Sequence, residues 1–255
     1  MFIILTFFLC HWFFSLFFHS FFLHRYASHQ MYTTRWERPI YFMTWLVQGS
    51  SFLVPRAYAV LHRMHHTYSD TGKDPHSPHF FKDIAQMMLH TARIFRGYVT
   101  GKSLPDPEFT KDYIPVWHRL DVIGNHAVTR VLFAAFYISM YVLFAPNYWW
   151  YLLIPIHLLM GPIQGAIVNW FGHKLGYSNY NNGDHSKNTG PFGIILMGEL
   201  FQNNHHYAKL DPNFAKKWFE FDVTYLIMRG LHSLRIIRFK QVPIPVAPSP
   251  SIIHS

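Results

Sequence analysis

The chain has 255 residues, half of them apolar and 19% aromatic, but only 14% charged. That balance excludes a disordered chain, and its charged share falls well below the roughly one quarter usual in a soluble domain. The formal net charge of +9 does not point to nucleic acid. Every Lys and Arg lies within Arg25–Arg130 or Lys174–Lys240, outside two charge-free blocks, as expected of segments kept on the cytoplasmic side of a membrane.

Those blocks are Met1 to His24 and Val131 to His173. At about 20 apolar residues per bilayer crossing, the first fits one span, Phe2 to Leu23. A signal peptide is not expected there, because the block has no basic n-region and no small-residue cleavage site, and is too long for an h-region. Cys10 is the one cysteine, so neither an intrachain disulfide nor a Cys-based metal site is available. Ile40 to Val60 is also apolar, but Gln48-Gly49-Ser50-Ser51 interrupts it and Pro55-Arg56 follows. It is read as re-entrant or interfacial. Ile84 to Val99 sets Ile84, Met87, Met88, Phe95 and Tyr98 on one helical face and Gln86, Arg93 and Arg96 on another, the pattern of a helix lying in the interface. The second charge-free block fits two spans, Val128 to Phe144 and Tyr148 to Phe171, the latter kinked at Pro155 and Gly161-Pro162. A further interfacial helix is expected over Trp218 to Ile237. The expected fold is all-α: an integral membrane protein with about three transmembrane helices and a cytoplasmic helical cap, residues 1–240 forming one domain and 241–255 a disordered Pro-rich tail.

Nineteen histidines are several times ordinary usage, and eight of them cluster where the spans end. His24 and His29 directly follow the first span. His62, His65 and His66 stand at i, i+3, i+4, a spacing that shares one helical face. Asn169 and His173, at i, i+4, close the third span, and Gln202, His205 and His206 repeat the i, i+3, i+4 pattern. His24 and His29 lie about 140° apart on an ideal α-helix, so their convergence requires a helix end or a local irregularity. Eight imidazoles without a clustered carboxylate or thiolate suit iron, zinc or copper, and exceed what one ion can hold. Two metal ions are expected. His11, His19 and His157 inside spans are read as packing residues, and His76, His79, His90, His118, His126, His185, His232 and His254 as surface residues or supports of the ligands.

The segments HRYASH, HRMHH followed by TYSDTGKDPHSP, NWFGHKLGY and GELFQNNHH resemble the histidine boxes of the membrane fatty-acid desaturases, in particular the acyl-CoA branch that includes stearoyl-CoA desaturase. The resemblance covers about Phe2 to Ile237. It implies two irons held by His24, His29, His62, His65, His66, His173, His205 and His206, with Asn169 acting through water. It further implies O2 as co-substrate and a cis double bond placed mid-chain in a long acyl group. Gln202 departs from the branch, which usually has His at this position. Front-end desaturases fused to cytochrome b5 also carry Gln here, so Gln202 is counted among the candidate ligands. The family usually has a further span before the first box, so three spans are read as sufficient or the sequence as a shortened form.

The chemistry suits the layout, since no protein side chain abstracts hydrogen from an unactivated methylene and an oxidant built from O2 at a redox metal is required. Asp70, Asp74, Glu199 and Asp222 are candidates to orient imidazoles through their second ring nitrogen, with surface salt bridges as the alternative. Arg25, Arg35, Arg38, Arg56 and Lys73 are candidates to meet the phosphates of a substrate headgroup, or simply to anchor the chain to lipid. The fatty acyl substrate is expected as acyl-CoA, acyl carrier thioester or acyl-lipid. No HPGG haem stretch and no Cys cluster is present, so electrons are expected from a separate donor of ferredoxin or cytochrome b5 type. A di-iron lipid hydroxylase is the competing reading. A histidine-rich metal carrier fits less well, because its ligands belong at mid-membrane.

Overall fold

The computed structural model describes residues 2–190 and 192–241. The Pro-rich tail expected over 241–255 therefore lies outside the described residues, apart from Gln241. In chain order the elements are α1 (Phe2–Phe18), which runs on as a π-helix over His19–Ser28, β1 (Tyr32–Thr34), α2 (Glu37–Gln48), α3 (Pro55–Tyr68), α4 (Ile84–Thr100), α5 (His118–Asn125) and α6 (Ala127–Phe144). They continue with α7 (Ile154–Leu158), α8 (Met160–Gly172), α9 (Phe192–Ile195), α10 (Gln202–Tyr207), α11 (Val223–Ser233) and β2 (Ile237–Phe239). Among the described residues two helices, Phe2–Ser28 and Ala127–Phe144, are long and apolar enough to cross a membrane. Tyr148–Leu158 and Met160–Gly172 make a third candidate if the pair, bent by 75°, counts as one span. The bend falls at Leu159 rather than at the prolines, because Pro155 and Pro162 occupy the first turns of α7 and α8, where a missing N–H leaves no bond unmade.

α2 and α3 make up the segment expected to be re-entrant or interfacial. α2 has 12 residues, about 18 Å of helix, which falls short of a hydrocarbon core of about 30 Å. It ends where Gly49 takes φ +52, and a Cβ there would run into the Tyr137 hydroxyl on α6. α3 then starts with Pro55 in its first turn and returns beside the π-helical end of α1. Phe21, Phe22, Leu23, Tyr32, Tyr41 and Phe52 form the main buried cluster under this junction, which fixes the direction in which α3 delivers its histidines.

α4 extends over Ile84–Thr100, capped by the Asp83 carboxylate on the Gln86 N–H at 2.8 Å and closed by left-handed Gly101. Two features differ from expectation. The last helix is only Val223–Ser233, because Asp222 caps it at the Tyr225 N–H (2.9 Å) and the preceding residues turn around the Glu220 carboxylate. The fold is also not purely helical, since β1 and β2 pair antiparallel with Tyr32 opposite Phe239 and Thr34 opposite Ile237. Tyr, Thr, Ile and Phe suit such a pair, but three-residue strands separated by two hundred residues leave no local signal.

Candidate metal centre

The π-helical segment brings the first two histidines together. Its i→i+5 bonding gives a wider turn than an α-helix, and the His29 N–H donates to the His24 carbonyl at 3.3 Å. The two rings stand 5.2 Å apart, centroid to centroid. α3 presents His62, His65 and His66, the end of α8 presents His173, and α10 presents His205 and His206. α10 can lie this close because position 172 is glycine: a Cβ there would strike the Gln202 side chain. The histidines sort into two groups. Ring nitrogens of His24, His29, His62, His66 and His205 all lie within 4.8 Å of one another, and so do those of His65, His173 and His206. The groups adjoin, with the His66 and His206 rings 4.5 Å apart.

Carboxylates fix the orientation of half of the rings. The Nδ1–H groups donate from His24 to Glu199 (2.6 Å), from His65 to Asp74 (2.8 Å), from His173 to Asp70 (2.9 Å) and from His206 to Asp184 (2.6 Å). Asp70 reaches its place from a left-handed residue, φ 55, just past α3, a conformation Asp tolerates. Burial raises the carboxyl of Asp70, yet the His173 hydrogen bond and charge bring it below the usual carboxylate range; His65 does the same for Asp74 and His206 for Asp184. Burial holds His29, His62, His66 and His205 well below the ordinary imidazole value and pushes His206 down to about 4. These rings are neutral at pH 7, the form that binds a metal.

The residues fit a metal on the disposition of their lone pairs. With Nδ1–H donated to a carboxylate, each Nε2 carries a lone pair. Yet the Nε2 atoms of His65 and His206 face each other at 3.2 Å, and the buried His173 Nε2 has no hydrogen-bond partner. In the larger group the Nε2 of His205 lies 2.9 Å from those of both His24 and His66, and that of His62 lies 2.7 Å from that of His29. In the smaller group, where carboxylates fix all three tautomers, acceptors crowded together in a dry interior are unfavourable unless a cation lies among them. Beside them opens a cavity of about 550 Å³, inside the roughly 300–1,000 Å³ range of small-molecule sites. His24, His62, His76, Asn169, Glu199 and Gln202 line it toward the histidines, Phe52, Leu53, Leu61, Phe95 and Val168 form apolar wall, and Arg96, Asn125 and Arg130 also border it.

Comparison with known proteins settles the family: residues 1–210 match the model of the fatty acid desaturase family. The chain belongs to that family. Its relatives include the sn-1 stearoyl-lipid 9-desaturase of Synechocystis sp., 26% identical over 85% of this chain and 64% of the relative. The hex-5-enoyl-[acyl-carrier protein] acetylenase of Moorena producens is 23% identical over 73% of this chain and 61% of its own length. The acyl-CoA C20 Delta5-desaturase of Anemone leveillei is 26% identical over 71% and 56%. The match thus spans less than two thirds of these relatives' length.

Several residues of this family member stand elsewhere than the sequence led one to expect. Arg25 does not face a headgroup: its side chain is 0% exposed and pairs with Glu199 at 2.8 Å and Asp222 at 2.7 Å, while the guanidinium lies 3.9 Å over the Phe214 ring. Asp222 consequently orients a guanidinium and, among the described residues, reaches no imidazole. Arg35, Arg38, Arg56 and Lys73 are exposed, Arg38 lying over Trp117 and Lys73 over Tyr68. Gln202 is buried, and its amide donates to the Glu199 carbonyl at 2.6 Å. Asn169 sits on α8 at the cavity wall. One residue was missed. Asp184 holds His206, and a carboxylate beside His185 was the available signal. His76 is buried against His65, ring centroids 4.5 Å apart, with both ring nitrogens unpartnered.

Proposed function

We propose that this chain is a membrane-bound di-iron fatty acyl desaturase that introduces a cis double bond into a long acyl chain. One iron would be held by His24, His29, His62, His66 and His205, and the other by His65, His173 and His206, with Gln202 and water held by Asn169 nearby. When bound, the irons supply the O2-derived oxidant that removes hydrogen from an unactivated methylene. The remaining work falls to the chain itself. Asp70, Asp74, Asp184 and Glu199 keep each Nδ1 protonated and each Nε2 free for a metal. The apolar wall of Phe52, Leu53, Leu61, Phe95 and Val168 excludes water and holds an extended alkyl chain with one C–C bond beside the histidines. The substrate is a fatty acyl group carried on CoA, a carrier protein or a lipid, and the two electrons come from a separate ferredoxin or cytochrome b5 type donor.

The observation that carries this reading is the convergence of eight imidazoles from four separated segments, two of which, His24 and His62, line an apolar cavity. Fatty-acid methyl ester profiling of a host expressing the chain tests it. New unsaturation dependent on O2, lost in His65→Ala, is the expected result; hydroxylated chains without new unsaturation would favour a di-iron hydroxylase. The helices Phe2–Ser28, Ala127–Phe144 and the bent pair are proposed as spans, with the histidines on the cytoplasmic side. In a Cys10→Ala background, cysteines placed at Lys73 and Asn181 should label from the same side of the membrane, and labelling from opposite sides would overturn this topology.

A further inference from the structure

The imidazoles are divided five to three between the two groups, and the buried charge beside them is divided the opposite way. Each ring of the smaller group rests on its own carboxylate: His65 on Asp74, His173 on Asp70 and His206 on Asp184, with carboxylate side chains 0%, 2% and 9% exposed. The other donors to these carboxylates are neutral backbone N–H and serine hydroxyl groups, among them the Asp70 N–H to Asp74 (2.9 Å), Ser77 Oγ–H to Asp70 (2.6 Å), and the Ser186 N–H to Asp184 (3.0 Å). His79 stands 4.0 Å from Asp70, but its Nε2–H donates to the His173 carbonyl at 3.0 Å. Among the described residues no Lys or Arg pairs with any of the three. Around the larger group the only carboxylate touching a ring among the described residues is Glu199, and the buried Arg25 guanidinium lies between it and Asp222. One position therefore carries three uncompensated buried anions, and the other carries two that share a cation.

We infer that the two metal positions differ in reduction potential, the three-histidine position holding its iron in the ferric state at potentials where the five-histidine position is already ferrous. This rests on the di-iron reading. Buried negative charge stabilises the more highly charged ion, and neutral imidazoles beside a neutralised carboxylate do so far less. Each step takes one electron from the reductant and converts one Fe3+ to Fe2+. The first electron settles among five histidines, and the second, harder to add, among three. Asp70, Asp74 and Asp184 then act as positioning residues that also set a potential.

Spectroelectrochemical titration of the purified, iron-loaded protein with dithionite and mediator dyes tests this without turnover, with iron per chain measured in parallel. Two one-electron couples are expected. Asp184→Asn should raise the lower couple and leave the upper in place, Asp184→Glu should return the lower couple toward its original value, and Glu199→Gln should raise the upper couple alone. If Asp184→Asn keeps only one iron, that iron should titrate at the upper couple. A single two-electron wave, an Asp184→Asn protein whose upper couple moves, or a surviving iron at the lower couple overturns the inference. Wild-type protein that binds fewer than two irons would instead strike at the di-iron reading itself.

Discussion

Replacing Asp74 separates the effect of orienting an imidazole from that of simply filling space. Its Oδ2 accepts from the His65 Nδ1–H at 2.8 Å and from the Asp70 N–H at 2.9 Å, and its Oδ1 accepts from the His76 N–H at 3.0 Å. All three partners are donors. In Asp74→Asn the amide therefore turns its oxygen to the doubly used position and its NH2 toward the His76 N–H, so one bond is lost while the His65 tautomer is kept. In Asp74→Ala three buried donors lose their acceptor, and nothing holds the proton on Nδ1 of His65. Removing such a partner costs about 10- to 100-fold in metal affinity, or about 1.4–2.7 kcal/mol. Asp74→Asn should fall near the lower figure and Asp74→Ala at or beyond the upper. The assay is competition of detergent-purified protein against a chelator, with bound metal measured by mass spectrometry. Wild-type metal retention in Asp74→Ala would refute the argument, and equal losses in the two variants would refute its tautomer step.

Three further outcomes are expected. Arg25→Met leaves Glu199 and Asp222 buried together without their shared cation; breaking a buried ion pair costs about 3–5 kcal/mol, read as a clear fall in the thermal midpoint of the purified protein. Acid should destabilise the metal-free chain as pH falls from about 6.5 toward 4. Burial lowers His206 to about 4, so across that window the unfolded chain binds protons that the folded chain refuses, and stability rises with pH; a flat profile would contradict it. Val168→Trp fills the cavity beside Asn169 and should shift the products of an expressing host toward shorter chains, while Val142→Trp, at an exposed position on α6, should not.

Much of the centre was legible because i, i+3, i+4 spacing on α3 and α10 is a local property. The pairing of His24 with His29 was legible only as a requirement, since ten residues of π-helix have no spacing signature of their own. Arg25 misled because an Arg at the end of an apolar run ordinarily reaches for the interface. Its partners Glu199 and Asp222 lie 174 and 197 positions away, beyond what any local pattern reports. Asp184 escaped for the same reason, being in a loop 22 residues from the ring it holds. The β1–β2 pair is an extreme case, in which neither strand is long enough to show alternation.

The distance in sequence between His24 and His205, 181 positions, also sets a schedule for assembly. At about 5–20 residues per second of synthesis, the first box leaves the ribosome roughly 10 to 35 seconds before α10 exists to meet it. During that interval His24, His29 and Arg25 have neither Glu199 nor Asp222 beside them, so the nascent chain offers metal only an open, incomplete set of donors. On the di-iron reading, selection of the ion is thereby postponed until α10 and α11 have been made and both groups can close together. On the same reading, a truncation ahead of Gln202 would accordingly yield a chain that lacks His205 and His206 and can close neither group.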